Sequence, residues 1–281
     1  MIDPVTGFLR AGWLRFAAEP AVLAWAAHAL PVAIDAATDP ANAHWLRCGG
    51  TWFVGVDTLP NDAAGRVAEG PALTGAAQDF IRRHLGPALP LHRAQLSICY
   101  PGYPQPMAGE SEAAFGFRRD RDAAHVDGLL AQGTPKQRFL REPHAWILGV
   151  PLVTGQGGAS PTVLWEGSHA IMREAFARAF RGIDPACWGE LDITGIYAEA
   201  RREAFLCCPR VVLELQPGEV CLFHRHLLHG MAPWAEEAVA PACGRIIAWF
   251  RPQRALLQTW LDSDLDGRSG ESQMPDPVIP A

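Results

Sequence analysis

The sequence predicts an α+β protein with a mainly β core, in which N-terminal helices buttress one sandwich or barrel. Apolar residues recur at helical spacing from residue 8 to 37, and short segments rich in β-branched and aromatic residues follow from residue 93 to 252. Turns rich in proline and glycine separate these segments, which is typical of antiparallel strands. Because no linker divides the 281 residues, we expect one domain.

The N-terminal part is predicted to be mostly helical. The stretch FLRAGWLRFAAEPAVLAWAAHALPVAIDAA (8–37) has the pattern of two or three helices broken at Pro20 and Pro31, since proline ends or kinks a helix. HWLRCGGTWFVGVDTL (44–59) predicts a turn at the Gly-Gly pair and then a strand. A further helix fits GAAQDFIRRHL (75–85).

The β core is predicted from short strands with turns such as PGYPQP, TGQGGASP and QPGE between them. Helices over residues 170–180 and 193–205 interrupt the strands. The polar residues 263–281 are expected to form a flexible tail. The predicted strands are RAQLSICY (93–100), HAWILGVPLV (144–153), PTVLW (161–165), RVVLELQ (210–216), EVCLFHRHLL (219–228) and RIIAWFRP (245–252).

The composition argues against several classes of function. Apolar residues make up 49% of the chain and the net charge is −6 without a basic block, so we expect neither nucleic acid nor a membrane as a partner. Apolar runs such as AVLAWAAHAL are shorter than a membrane span, and MIDPVTGFLR lacks the basic region of a secretory signal. Seven cysteines without C-x-x-C spacing predict reduced thiols in a cytoplasmic protein.

A histidine and an aspartate lie one residue apart in RDAAHVDGLL, at His125 and Asp127. On an extended segment residues i and i+2 point to the same face, so the pair would direct an imidazole and a carboxylate to one point. A histidine from a distant strand would complete the two-histidine, one-carboxylate set of non-haem Fe(II) oxygenases. The motif is short, and a His–Asp pair at a surface turn before Gly128 is the competing interpretation.

The segment PGEVCLFHRHLLHGMAPW (217–234) offers three histidines as the third ligand. His224 and His226 share one face of the predicted strand, whereas His229 lies at its end, before a glycine. Two of the three must be packing residues or neighbours of the ligands, since a neutral histidine is common in a protein core. The spacing leaves the choice open.

Arg245 begins the strand RIIAWFRP, among apolar residues. An arginine in such a place costs desolvation free energy unless an anion pairs with it. Its planar guanidinium matches a carboxylate with two parallel hydrogen bonds. Arg245 is therefore a candidate for binding a carboxylate.

The order HVDG, GASPTVLWEGSH, PGEVCLFHRHLLHG and GRIIAWF resembles the phytanoyl-CoA dioxygenase-like family of Fe(II)/2-oxoglutarate oxygenases. In that family an H-x-D pair precedes a PGSH stretch, a strand with F-H and HGS, and an arginine one strand later. The resemblance covers about residues 93–252 and implies a double-stranded β-helix, the jelly-roll or cupin-like barrel. It implies one domain over residues 1–262, with a helical part (1–90) before the barrel.

By this resemblance, His125, Asp127 and His229 bind Fe(II), and Arg245 binds the distal carboxylate of the cosubstrate 2-oxoglutarate. The family's chemistry consumes dioxygen, releases succinate and carbon dioxide, and hydroxylates a substrate. The substrate is expected to be a small molecule. Asp127 argues against the halogenase branch, in which a small residue replaces the carboxylate.

Two aromatic residues are further candidates for contact with 2-oxoglutarate. Tyr100, at the end of RAQLSICY, resembles a tyrosine that related oxygenases place against the cosubstrate. Trp146 lies on HAWILGVPLV, a strand that faces the cosubstrate in the family. Ordinary packing is the alternative for both side chains.

The sequence also departs from the family pattern. Glu166 replaces the proline of PGSH, and Met231 replaces a serine that can help to hold the cosubstrate. The interval from His229 to Arg245 is longer than in the family, and EEAVAPAC is predicted to form a longer turn. Arg251 is an alternative carboxylate clamp, although its place beside Pro252 at a strand end favours a solvated side chain.

Two other functions fit part of the pattern. A cupin-like metalloenzyme would use the same metal ligands without 2-oxoglutarate, and it predicts no role for Arg245. A non-catalytic barrel that binds a small ligand has no need of three intact metal ligands. The sequence carries no motif for the substrate, for hydroxylation as against desaturation or cyclisation, or for the oligomeric state.

Overall fold

The larger of two packed sheets is antiparallel throughout and has seven strands. The structure, a computed structural model, describes residues 3–86 and 89–262, so the predicted tail 263–281 lies outside the described residues. In spatial order the strands are β1 (Trp13–Phe16), β10 (Val220–His224), β7 (Trp146–Val153), β12 (Arg245–Phe250), β4 (Ala94–Cys99), β3 (Trp52–Leu59) and β2 (Leu46–Arg47).

A smaller antiparallel sheet packs against one face of the larger sheet. Its order is β11 (His229–Met231), β8 (Thr162–Trp165) and β9 (Arg210–Leu213), and β5 (Leu129–Gln132) pairs with β6 (Gln137–Leu140) as a separate hairpin. Between the two sheets, Ile147 and Phe223 of the larger sheet meet Leu164 and Leu213 of the smaller one in a buried cluster. The predicted combination of helices with a large antiparallel β structure is confirmed.

Strand β12 shows how the larger sheet separates two environments. Ile246, Ala248 and Phe250 are buried in the core beneath the N-terminal helices. The alternate residues Arg245 and Trp249 line a cavity between the sheets. This alternation follows from the two-residue period of a strand, and it explains why one strand carries both core residues and a buried arginine.

Helices cover the outer faces of both sheets. Residues of α1 (Pro4–Ala11), α2 (Pro20–Thr38) and α3 (Ala76–His84) pack on the larger sheet. Residues of α5 (Ser168–Ala179) and α6 (Thr194–Cys207) pack with Trp165 of the smaller sheet. The remaining helix is α4 (Glu112–Asp120), and 3-10 turns span Pro40–Trp45, Cys48–Gly50, Pro185–Glu190 and Leu257–Trp260.

Helix α2 continues through Pro31, so the predicted break at that proline is wrong. Pro31 is exposed, and so is Ala27, the residue whose carbonyl would otherwise accept a hydrogen bond from position 31. Among the described residues α2 is the one helix that is long and apolar enough, by length and composition, to span a membrane. The apolar segment is therefore longer than the run AVLAWAAHAL, from which a segment too short for a membrane span was predicted. Its buried side, which includes Trp25 and Ala29, packs beside β3 and β7.

Several elements were not predicted, among them a strand, a helix and a hairpin. WLRF, taken as helical, forms the edge strand β1 and pairs with β10, because Gly12 (φ 80°) ends α1 before it. Helix α4 follows Ser111, whose side chain accepts a hydrogen bond from the backbone N–H of Ala114 as an N-cap. The third element is the hairpin of β5 and β6.

Candidate metal centre

His125, Asp127 and His229 lie together, with one possible ligand atom of each within 4.8 Å of the others. His125 Nε2 is 3.1 Å from Asp127 Oδ1, and His229 Nε2 is 3.8 Å from Asp127 Oδ2. The structure therefore brings together the three predicted ligands. Two imidazole nitrogens and one carboxylate oxygen on one side of a site suit Fe(II) with open positions.

Backbone pairing joins the two histidines. The His125 N–H donates to the His229 carbonyl at 2.8 Å, and the His229 N–H donates back to the His125 carbonyl at 3.0 Å. Asp127 follows in the turn that leads into β5. The sequence predicted that His229 lies at the end of the strand that contains His224. The structure differs, because the chain turns after β10 and enters the smaller sheet at β11.

A glycine follows each of these ligand segments and permits close backbone contact. A Cβ on Gly230 would lie 2.1 Å from the carbonyl oxygen of Asp122. A Cβ on Gly128 would lie 2.1 Å from the carbonyl oxygen of Glu142, and Gly128 also has φ +84°. Both glycines are required by space, and Gly128 also by conformation.

Hydrogen bonds fix the tautomer of each candidate histidine ligand. His125 Nδ1 lies 3.0 Å from the carbonyl oxygen of Ala123, and His229 Nδ1 lies 2.9 Å from that of Leu227. Since a carbonyl only accepts, each Nδ1 carries the proton and donates it. Each Nε2 then presents a lone pair on the side of Asp127, in the form that binds a metal.

The protonation states also favour metal binding. Burial alone would raise the pKa of Asp127, but Arg251 together with the adjacent His125 and His229 holds that pKa well below its ordinary value. Burial lowers the pKa of His229 to about 4, although Asp127 opposes the shift. Near neutral pH the carboxylate is charged and His229 is neutral.

Arg251 points into the site, so the expected solvated side chain is wrong. Its side chain is 13% exposed, and Nη1 lies 3.3 Å from Asp127 Oδ2. Nη2 donates to Gln95 Oε1. The cause is strand geometry, because Arg251 continues the alternation of Arg245 and Trp249 beyond the end of β12.

One cavity of about 210 Å³ contains the three candidate ligands together with Arg245 and Arg251. Arg245 is 5% exposed, and its Nη2 donates to the carbonyl oxygen of Ser160 at 2.7 Å. In the part of the chain that the structure describes, no carboxylate pairs with Arg245, and its Nε has no hydrogen-bond partner. A buried guanidinium with unused donors is suited to an anionic ligand in this cavity.

The structure does not bring Tyr100 or Trp146 to the cavity. Trp146 is buried on the helix-covered side of β7, and its neighbour Ile147 faces the smaller sheet instead. Tyr100 is half-buried and packs against the same helix-side core. Neither residue lines the cavity of the candidate ligands.

Tyr103, which no sequence motif singles out, is nearer to the cavity than Tyr100. It is 2% exposed and packs with Cys99 and Met231, and Met231 lines the cavity. Its hydroxyl has no hydrogen-bond partner among the described residues, and burial raises its pKa. No sequence pattern separates it from Tyr100, because both lie in the same YPGYP stretch and each precedes a proline.

The other two histidines of the PGEVCLFHRHLLHG segment pack elsewhere. The rings of His224 and His169 are 4.8 Å apart. The ring of His226 is 4.3 Å from Trp260 and 5.6 Å from Phe176. Burial lowers the pKa of both His224 and His226 well below the ordinary value. Of the three candidates, His229 is the one that approaches Asp127.

The fold and site thus define a protein of mixed helices and antiparallel sheets with a candidate mononuclear metal centre. No family model and no curated protein matches this sequence. Solved structures do match most of the chain. The non-heme alpha ketoglutarate dependent carbocyclase SnoK from nogalamycin biosynthesis is 12% identical, over 89% of this chain and 83% of its own, with a TM-score of 0.45.

Two other solved structures show similar likenesses. EctD from S. alaskensis with bound Fe is 16% identical, over 89% of this chain and 75% of its own, with a TM-score of 0.45. AviO1 from Streptomyces viridochromogenes Tue57 is 14% identical, over 90% of this chain and 94% of its own, with a TM-score of 0.48. At these identities and TM-scores, the likenesses do not establish the family of this chain.

Proposed function

We propose that the chain is an Fe(II)- and 2-oxoglutarate-dependent oxygenase of the phytanoyl-CoA dioxygenase-like family that hydroxylates a small molecule. One domain over residues 1–262 would carry this activity on a double-stranded β-helix. The observation that carries the proposal is a single cavity with His125, Asp127, His229 and an unpaired, buried Arg245. An oxygenase of this class needs a metal site and an anion site side by side.

The residues present fit iron. His125 and His229 offer Nε2 lone pairs, and Asp127 offers an ionised carboxylate. Fe(II) held by these three residues would supply dioxygen activation, coupled to decarboxylation of 2-oxoglutarate to succinate and carbon dioxide and to oxidation of a substrate C–H bond. The protein binds and orients both substrates.

Arg245 would bind the distal carboxylate of 2-oxoglutarate. The Ser160 carbonyl accepts from Nη2 and restricts the guanidinium, which leaves Nε for a carboxylate oxygen. We also propose Tyr103, in preference to Tyr100, as the tyrosine beside the cosubstrate, since its buried hydroxyl lacks a partner in the described chain.

The cavity walls would keep bulk water away from the reacting atoms. Trp52, Val54, Met231 and Trp249 line the cavity beside the candidate ligands. Large apolar side chains in these places lower the local dielectric and strengthen the interactions of Arg245 and Asp127 with charged ligands.

The test is an anaerobic titration with Fe(II) and 2-oxoglutarate, followed by the weak visible charge-transfer band of the metal–keto acid complex. We expect the band in the unchanged protein, none with Asp127→Ala, and a band that needs about tenfold more 2-oxoglutarate with Arg245→Ala. Asp120→Ala and Arg119→Ala, which remove an exposed ion pair on α4, are matched controls and should leave the band unchanged.

Two outcomes would contradict the proposal. Metal bound by the three ligands without any 2-oxoglutarate band would favour the cupin-like metalloenzyme. A protein that binds no metal, although it is folded by circular dichroism, would favour a non-catalytic binding barrel.

A further inference from the structure

An open groove borders the metal cavity at His125. The side chain of His125 is 42% exposed, whereas those of Asp127 and His229 are 9% and 8% exposed. His125 lines both the inner cavity and this outer groove of about 750 Å³. A substrate that reaches the metal on the open side of His125 would therefore pass along the outer groove.

The ionisable side chains of the outer groove, apart from His125, are mostly positive. Arg118, Lys136, Arg138 and Arg201 line the groove, against one acid, Glu110. The chain as a whole carries a net charge of −6, so this concentration of cations is local. A concave surface of one sign focuses its field on a ligand of the opposite sign.

Glu110 neutralises one of these four cations and leaves three. Arg118 forms an ion pair with Glu110. Within residues 3–86 and 89–262, Lys136, Arg138 and Arg201 form no ion pair. Their charges come from two different elements, the β5–β6 hairpin and α6.

Aromatic rings hold two of the unpaired guanidinium groups. The Arg201 guanidinium lies 4.4 Å from the ring centroid of Phe117 and 5.2 Å from that of Tyr197. Arg138 lies 5.6 Å from the same Tyr197 ring and donates to the Leu129 carbonyl at 2.9 Å. Two like charges beside one ring repel each other unless an anion lies between or beside them.

We propose that the outer groove binds an acidic group of the substrate, a carboxylate or a phosphate, through Arg201 and Arg138 with Lys136. The substrate would then be an anion whose uncharged part passes His125 into the inner cavity. The inference rests on the proposed function for the position of the oxidised carbon, and on the groove alone for the binding of the anion.

The test is a fluorescence titration with three probes that share one ring system: 1-naphthyl phosphate, 1-naphthoate and 1-naphthol. Metal-free protein at low ionic strength prevents coordination of the probes to a metal. We expect both anions to bind and the neutral naphthol to bind at least about tenfold more weakly. The anion that binds with the higher affinity then indicates whether the acidic group is a phosphate or a carboxylate.

Variants separate this groove from other cationic sites. Arg201→Gln should weaken anion binding about tenfold, and the exposed Lys136→Gln about threefold. Arg202→Gln, the next residue on α6 and outside the groove, should have no effect. Arg245→Gln should also have no effect, which excludes binding at the proposed 2-oxoglutarate site.

Anion affinity that is unchanged in both Arg201→Gln and Lys136→Gln would overturn the inference, as would naphthol that binds as tightly as the anions. The proposed function is scored separately, because Arg201→Gln should keep the Fe(II)–2-oxoglutarate band. A missing band with intact probe binding would reject the oxygenase and leave the anion groove standing.

Discussion

At the scale of single residues, Arg251 and Asp127 form a buried pair beside the candidate metal ligands. Asp127 is 9% exposed and Arg251 13% exposed, with 3.3 Å between Nη1 and Oδ2. Removing one member of such a pair leaves a desolvated charge without compensation, which costs more than the pair itself contributes. The pair therefore fixes the position of the Asp127 carboxylate before any metal binds.

Arg251→Met should destabilise the metal-free protein by about 2–4 kcal/mol, because it leaves the Asp127 charge unpaired. The double variant Asp127→Asn/Arg251→Met should be more stable, by about 1–3 kcal/mol, than the sum of the effects of the two single variants predicts. Urea unfolding of the four proteins at pH 7 measures this coupling. Additive effects would show that the two side chains do not interact.

The sequence predicted the three candidate ligands and Arg245, but not the contact of Arg251 with Asp127. His125 and Asp127 could be predicted because side chains two residues apart in an extended segment share a face. The choice of His229 over His224 and His226 came from the family resemblance, because local spacing does not show where the chain leaves one sheet for another. The alternation along β12 is consistent with the direction of the Arg251 side chain, but its partner Asp127 lies far away in the sequence, and no local pattern identifies that contact.

At the scale of elements, the ion pair of Asp122 with Arg210 ties β9 to the segment that carries His125. Arg210 donates two hydrogen bonds to the Asp122 carboxylate, at 2.7 and 2.8 Å. The Asp122 carbonyl in turn accepts from the backbone N–H of Met231 on β11. Both candidate histidine ligands are thus attached to the same small sheet.

Arg210→Met should lower metal affinity about tenfold, since Arg210 holds the Asp122 segment that positions His125. It should reduce the free energy of unfolding by about 1 kcal/mol or less, because its partly exposed ion pair is screened by solvent. Arg15→Met is the matched control, as Arg15 is similarly exposed and pairs with Glu219 away from the site. Titration with Co(II) gives the affinities. An equal loss in both variants would refute a local effect on the site.

Gly230→Ala should disrupt the pairing between β11 and the His125 segment. The added Cβ would meet the Asp122 carbonyl oxygen at 2.1 Å, and overpacking of this kind costs about 1–3 kcal/mol. Gly116→Ala in α4 is the control, because its Cβ would have only Asp120 Oδ2 within 4 Å, at 3.8 Å, and helix propensity predicts a gain of up to about 1 kcal/mol. We expect the urea midpoint of unfolding to decrease in Gly230→Ala and to increase in Gly116→Ala. An unchanged midpoint in Gly230→Ala would contradict the close contact with the Asp122 carbonyl.

The strands of the β core could be predicted more completely than the elements around them. Strands β4, β7, β8 and β12 lie within the segments predicted from their β-branched and aromatic residues. Four-residue WLRF carries too little pattern to separate a strand from a helix, and its pairing with β10 decides the outcome. The break predicted at Pro31 did not occur, because the proline ring lies on the exposed side of α2, outside the core packing.

At the scale of the whole molecule, the core excludes water from two histidines and thereby makes folding depend on pH. Burial, reinforced by nearby positive charge, lowers the pKa of His224 and His226 well below the ordinary value of about 6.5. The unfolded chain therefore binds more protons than the folded chain below that pH. The stabilisation is complete above about pH 6.5 and is lost progressively as the pH falls.

Unfolding free energy should decrease below about pH 6.5, by up to about 1.4 kcal/mol per pH unit for each buried neutral histidine. His226→Phe removes one of these groups from its contacts with Phe176 and Trp260, and it should reduce the slope. Phe176→Leu loosens the same cluster without removing a titratable group, so it should lower stability but keep the slope. Urea unfolding between pH 5 and 8 distinguishes the two variants, and an unchanged slope in His226→Phe would show that this histidine takes up its proton without unfolding.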